Sequence, residues 1–211
     1  MLEALKSAHE PLDPSGPAIH AHDTHLLLRL GARGEELVTL LSECNGFYAF
    51  DRALLVRSWW RDAPPRGVQQ WNDPVGWRSD FQFDLSRYLF FAEDVFGLQF
   101  AIGDDAVAQF DPETGGVSQL APSVREWLDL VAADHSTIAG SAFAREWCAN
   151  HGPLQPGYRL VPKTPFVLGG SFSLENLTLV EELKAMRIRS AIANSIKDVP
   201  EGGEVVFRIE R

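Results

Sequence analysis

The stretch between residues 88 and 120 leaves this chain the fewest choices. Short apolar runs at 88–92, 95–102, 106–110 and 117–120 are parted by turns of only a few residues. In the second run Phe96, Leu98, Phe100 and Ile102 alternate with Gly97, Gln99 and Ala101, a period of two that sets one apolar face against a core. Asp111-Pro112-Glu113-Thr114-Gly115 is a turn by its chemistry: Asp leads, Pro presets its own φ, and Gly accepts a left-handed backbone. Parallel neighbours need a crossover of a dozen or more residues, so these strands are expected to pair as an antiparallel meander.

Helices frame the meander. Before it, Leu37, Leu40, Leu41 and Cys44 recur at helical spacing over 35–44, with Glu35 and Glu36 in the first turn and Asn45-Gly46 to end the element. A short strand is expected at 53–57. After it, Ser123 and Glu126 match a capping box, and Val124, Trp127, Leu128 and Val131 share one face. A further helix is expected over 142–150. Residues 64–80 read as a long loop carrying Trp71 and Trp77, which either fold back onto the core or stand out as binding anchors. From Pro153 the chain is Pro-rich and extended; helices are then expected from Ser173 to about 185 and over 190–197, with a terminal strand at 205–209. The expectation is a single α+β domain, its core at about 35–133, with a C-terminal α/β extension over 153–211.

Charge is unevenly spread. The chain has 211 residues and a formal net charge of −10; residues 1–152 carry 11 basic and 22 acidic side chains, whereas 153–211 carry 8 and 7. Such a chain repels phosphate backbones, so nucleic acid is not an expected partner. Between Glu93 and Val124 stand Glu93, Asp94, Asp104, Asp105, Asp111 and Glu113 with no Lys or Arg, either a solvated acidic face or a docking surface for a basic protein. No apolar run is long enough to span a bilayer, the first residues lack the apolar core of a secretory leader, and two cysteines make no disulfide framework. A cytoplasmic setting follows as an expectation.

Catalytic signatures are missing. No G-x-S-x-G, phosphate-cradling G-x-x-x-x-G-K, G-x-G-x-x-G or H-E-x-x-H occurs, and Gly169-Gly170-Ser171 lacks the flanking glycine of a nucleophile elbow. His20, His22, Asp23 and His25 could offer ligands to a metal, but no further Cys or His completes a set. Cys148 and His151 could form a thiolate pair, yet a histidine before Gly152-Pro153 is more simply a helix C-terminal cation. The doublets Glu93-Asp94 and Asp104-Asp105 would point to opposite faces of a strand and not converge on one atom. No catalytic residue, metal or cofactor is expected.

The run Phe90-Phe91-Ala92-Glu93-Asp94-Val95-Phe96-Gly97-Leu98-Gln99-Phe100 resembles the central hairpin of the SUKH superfamily, which covers bacterial toxin-immunity proteins and the fungal Smi/Knr cell-wall-synthesis regulators. Asn45-Gly46, the 111–115 turn, and Ser123 with Glu126-Trp127-Leu128 fall in the family's order, so the resemblance spans about 35–133. It implies an antiparallel sheet flanked by helices, no catalytic residues, and a bacterial member that neutralises a toxin, often a nuclease, by direct binding. The binding face varies with the toxin, so no residue is carried over. The chain's own charge pattern makes Glu93, Asp94, Asp104, Asp105, Asp111 and Glu113 the candidate contacts for a basic toxin domain, with Trp71 or Trp77 as anchors if exposed. A regulatory module binding a cellular protein is the alternative reading, and a metal or thiol enzyme a third.

Overall fold

The structure, a computed structural model, describes Leu5, residues 9–13, Ile19, residues 21–200 and Gly203, without the side chains of residues 21–23. The expected strand at 205–209 and His20 lie outside the described residues, as do the side chains of His22 and Asp23.

Strand β1 (His9–Pro11) is followed by helices α1 (Ala21–Leu28) and α2 (Gly31–Glu43), then by strands β2 (Phe47–Ala49) and β3 (Leu54–Val56). A short helix α3 (Val68–Trp71) and a 3-10 turn (Trp77–Asp80) precede β4 (Leu89–Glu93), β5 (Gln99–Ile102), β6 (Val107–Phe110) and β7 (Val117–Ala121). Helices α4 (Val124–Ala133), α5 (His135–Ala139) and α6 (Ser141–His151) come next, and the chain closes with β8 (Tyr158–Pro162), β9 (Leu177–Glu181) and α7 (Glu182–Ile196). Strands β1 to β7 form one antiparallel sheet in sequence order, and β8 pairs with β9 in a second, two-stranded sheet. The architecture is α+β. No helix among the described residues is long and apolar enough to cross a membrane.

The large sheet is buried on both sides, and alternation along its strands sorts side chains between two cores. Phe91 and Phe100 face Trp127 of α4, at ring distances of 4.9 and 5.3 Å, and join Leu37, Leu40 and Leu41 of α2. Phe90 and Phe110 face the other way, onto Trp71, Trp77 and Phe81, where α7 adds Met186 and Ala193. Residues 71–88 thus cover the second face of the sheet. Asn72 fastens them there: its side-chain amide accepts from the Phe90 N–H at 2.8 Å and donates to the Phe90 carbonyl at 2.7 Å, beside an irregularity in β4.

The meander, the Ser123 cap and the face of α4 stand where the sequence places them; Ser123 accepts from the Glu126 N–H at 3.1 Å. The second run is shorter than expected. Residues 95–98 are a turn, because Asp94 captures the N–H groups of Phe96 and Leu98 and Gly97 takes φ +80°, so alternation there reflects packing and not a strand. The helix expected from Ser173 is a 3-10 turn (Leu174–Asn176) and then β9; the helix begins only at Glu182, where the Glu181 carboxylate accepts from the Leu183 and Lys184 N–H groups. Leu177, Leu179 and Glu181 alternate with Thr178 and Val180, and cross-strand pairing to β8 wins over the weak helical spacing. Residues 190–196 belong to the same continuous α7, which ends at Ile196. Near the start of the chain, β1 and α1 precede the first helix that the spacing predicts.

At Gly34 a Cβ would stand 1.8 Å from the Leu27 carbonyl oxygen, so α1 and α2 can meet only over a bare backbone. Gly34→Ala would gain about 0.5–1 kcal/mol in an open helix. Here overpacking should reverse the sign and cost about 1–3 kcal/mol, read by urea denaturation.

Candidate functional site

The structure separates the six candidate carboxylates. Glu93 and Asp94 are 1% and 2% exposed and Glu113 is 4% exposed, so no acidic face containing these three is offered to a partner. Trp71 and Trp77 are also buried, and the tryptophan with an exposed ring is Trp60, at 59%. The cause is pairing across long sequence separations, which an acidic run does not reveal.

Glu93, at the end of β4, accepts from Arg57 Nη2 at 2.8 Å, from Arg159 Nε at 2.7 Å and from the Gln99 amide at 2.8 Å. Arg57 then donates to Glu182 at 2.9 Å and lies 3.6 Å above the Trp71 ring, whose indole N–H donates to Gln99. Glu182 also receives the Arg66 N–H and guanidinium. This network ties β4 to β8 and to the first turn of α7. Burial alone would raise the Glu93 carboxyl, but Arg57 and Arg159 outweigh it and hold the group below the usual carboxylate range.

Asp94 is a turn former. Its Oδ1 accepts from the Phe96 and Leu98 N–H groups at 2.9 and 2.8 Å. Burial pushes its carboxyl up to about 7, against these bonds and the nearby Arg189 and Arg159. Glu113 accepts from the Val167 N–H at 3.2 Å and faces Arg189 at 3.9 Å; burial raises it too. Asp111 is half-buried and closes its own turn, accepting from the Glu113 N–H and the Thr114 hydroxyl.

Asp104 and Asp105 are different. Both are exposed, at the tip between β5 and β6. Arg33 of α2 donates to the carbonyls of Asp104, Asp105 and Pro122, the latter two at 3.1 and 3.2 Å. One guanidinium thus pins the backbone of the turn and leaves its two carboxylates outward. Arg87, itself exposed, reaches Asp104 only at 3.9 Å. Beside the turn, Tyr88, Ala108, Val117 and Gln119 line a hollow of about 210 Å³.

A wider cleft, about 780 Å³, lies elsewhere. It is lined by Glu10, Tyr48, Phe50, Arg52, His135 and Cys148 among others. The β2–β3 connection enters it with three successive non-glycine residues at positive φ, Phe50, Asp51 and Arg52, at 56°, 56° and 65°. That conformation is costly for side-chain-bearing residues and is held by contacts. Arg52 forks onto Glu10 at 3.0 and 2.7 Å and caps the Leu154 carbonyl at 2.7 Å, while Phe50 stacks on His135 at 4.3 Å. Cys148 faces this cleft, but His151 lines a different cavity and stacks on Trp147 at 4.1 Å, so the two do not form a pair. Ser171 sits in the β8–β9 loop, its hydroxyl 3.2 Å from that of Ser173. Among the described residues no group of three or more His, Cys, Asp and Glu could hold a metal ion.

No family model matches the chain, and no curated protein matches it. Among solved structures it is similar to Atu4351 from Agrobacterium tumefaciens, with a TM-score of 0.57 and 17% identity over 90% of this chain and 88% of that one. At that identity the likeness is one of fold.

Glu93→Ala would leave two guanidinium groups buried without their shared acceptor and should cost about 3–5 kcal/mol in chemical denaturation. Glu10→Ala, which breaks an exposed pair with Arg52, should cost no more than about 1 kcal/mol. For Asp94 the sign follows from its raised value. Between its ordinary 3.8 and about 7 the folded protein holds a proton that the unfolded chain has released, so this group's contribution to stability falls as pH rises through that window. Asp94→Asn keeps an oxygen for both N–H groups and carries no charge. The stability difference, wild type minus variant, should therefore decline from pH 4 to pH 7 and level off above it, as followed by urea titration.

Proposed function

We propose that the protein is a non-catalytic binding domain that presents a rigid acidic turn to a basic protein partner, and that the partner is a cognate bacterial toxin. The observation that carries this reading is the Asp104–Asp105 turn, whose three-carbonyl clamp by Arg33 displays two carboxylates on a preordered backbone. A preordered charge loses little entropy on binding and steers a basic surface into encounter. Burial removes Arg57, Arg159 and Arg189 from the surface together with Glu93, Asp94, Glu113 and Glu182, so the outer charge stays close to the formal −10. The resemblance of residues 35–133 to the SUKH superfamily supports the narrower form, toxin immunity, and a bacterial cytoplasmic setting. Of the original candidate contacts, Asp104 and Asp105 remain, and Trp60 replaces Trp71 and Trp77 as the available aromatic anchor.

Co-expression with a toxin encoded immediately beside this gene should prevent killing, whereas a regulator of a cellular protein would give no protection. Asp104→Lys with Asp105→Lys should weaken toxin binding at least about tenfold at low salt and flatten its salt dependence. Unchanged affinity and unchanged salt dependence in calorimetry would remove the acidic turn from the interface.

A further inference from the structure

A further cavity, unrelated to the acidic turn, has the chemistry of a small-molecule site. It measures about 310 Å³, at the lower end of the range of ~300–1,000 Å³ that ligand pockets occupy, which suits one small molecule. Three connections supply most of its walls: Phe96 and Leu98 of the β4–β5 turn, Asp111, Glu113 and Thr114 of the β6–β7 turn, and Phe166, Val167 and Phe172 of the β8–β9 loop. Arg189 of α7 also lines it.

Arg189 is the anomaly. Its side chain is 3% exposed, and neither Nε nor Nη1 has a hydrogen-bond partner. The nearest carboxylate oxygen, on Glu113, is 3.9 Å from Nε, beyond hydrogen-bonding reach. Neighbouring acids also hold local donors. Asp94 Oδ1 is taken by two backbone N–H groups, and Asp111 by the Glu113 N–H and the Thr114 hydroxyl. The backbone also makes way for this side chain, since a Cβ on Gly97 would stand 2.7 Å from Arg189 Nη1. Buried donors without acceptors are rare in folded proteins, and Arg189 carries two of them beside a cavity from which an acceptor could reach it.

The remaining walls choose the ligand. An apolar carboxylate alone would fill the guanidinium but meet Glu113 and Asp111 with its own negative charge. An apolar amine alone would satisfy those acids but be repelled by Arg189 and leave its donors empty. A zwitterion answers both. Phe166 and Phe172 stack at 3.8 Å and 6° between planes, with Phe96 edge-on to each at 5.8 and 6.2 Å; the three rings touch one another and enclose the cavity on one side as an aromatic wall. The geometry points to a site for a free aromatic amino acid: its α-carboxylate on Arg189, its α-ammonium towards Glu113 and Asp111, and its side chain against the wall of Phe96, Phe166 and Phe172. Phe172, 64% exposed, is the outer wall.

The test is isothermal titration of the full chain at neutral pH with L-phenylalanine, 3-phenylpropionate and phenethylamine. L-Phenylalanine should bind saturably at one site, and each analogue, lacking one charge, should bind at least about tenfold more weakly. An analogue that matches L-phenylalanine would overturn the two-charge reading, and no saturable binding up to about 10 mM would overturn the site. Arg189→Lys keeps the charge and loses the fork, and should lower affinity at least about tenfold. Should that buried substitution unfold the chain, Phe172→Ala decides, because an exposed ring can be removed without disturbing the core. It should lower affinity at least about tenfold at an unchanged Tm, and unaltered affinity would reject the enclosure. Charge reversal at Asp104 and Asp105 should leave the titration unchanged, so the fate of this site is read separately from that of the acidic turn.

Discussion

One carboxylate, that of Glu93, decides how the two parts of this molecule meet. It sits at the end of a central strand and is shared by Arg57 and Arg159, two guanidinium groups with almost no access to water. Taking such groups out of water is expensive, and the expense is offset only where each finds acceptors at good distance. Glu93 and Glu182 supply them, Gln99 donates to Glu93 and accepts from the Trp71 indole, and the Trp71 ring lies against the flat face of Arg57. Strict geometry of this kind gives a register to a contact that apolar packing alone would leave looser.

From that point the rest of the arrangement follows. The sheet has two apolar faces, and the segment bearing Trp71 and Trp77 shares the second with α7. The acidic residues are thereby divided by task. Glu93 and Glu182 hold the layers together, Asp94 and Asp111 shape turns, and Asp104 and Asp105 are left facing solvent. What looks uniform along the chain is three different uses of the same functional group.

How much of this could be read from the residues depends on whether the deciding interaction is local. The meander, the Ser123 cap and the buried stripe of α4 are written in spacing and turn chemistry within a few positions, and all are present. The burial of Glu93 is not local: its partners lie 36 and 66 positions away, and an acidic run with no neighbouring base reads as a solvated face. The helix expected over 173–185 gives way to a strand for a related reason, since β9 exists only because β8 lies beside it. Trp60 and Trp59 show the same limit at the smallest scale. They are adjacent and chemically identical, yet one is exposed and the other 4% accessible, a difference set by the layers above them. Arg189 carried no signal, because an arginine on a helix ordinarily reaches water.

The shared ionic cluster also bears on modularity. Arg159 and Glu182 belong to the final quarter of the chain, whereas Arg57, Glu93 and Gln99 belong to the sheet. A shorter homologue ending after α6 would inherit polar groups made for an absent neighbour and would need apolar replacements at 57, 93 and 99 to fold as well. The terminal α/β unit is therefore no accessory grafted onto a finished domain; the two halves had to be fitted to each other, residue against residue.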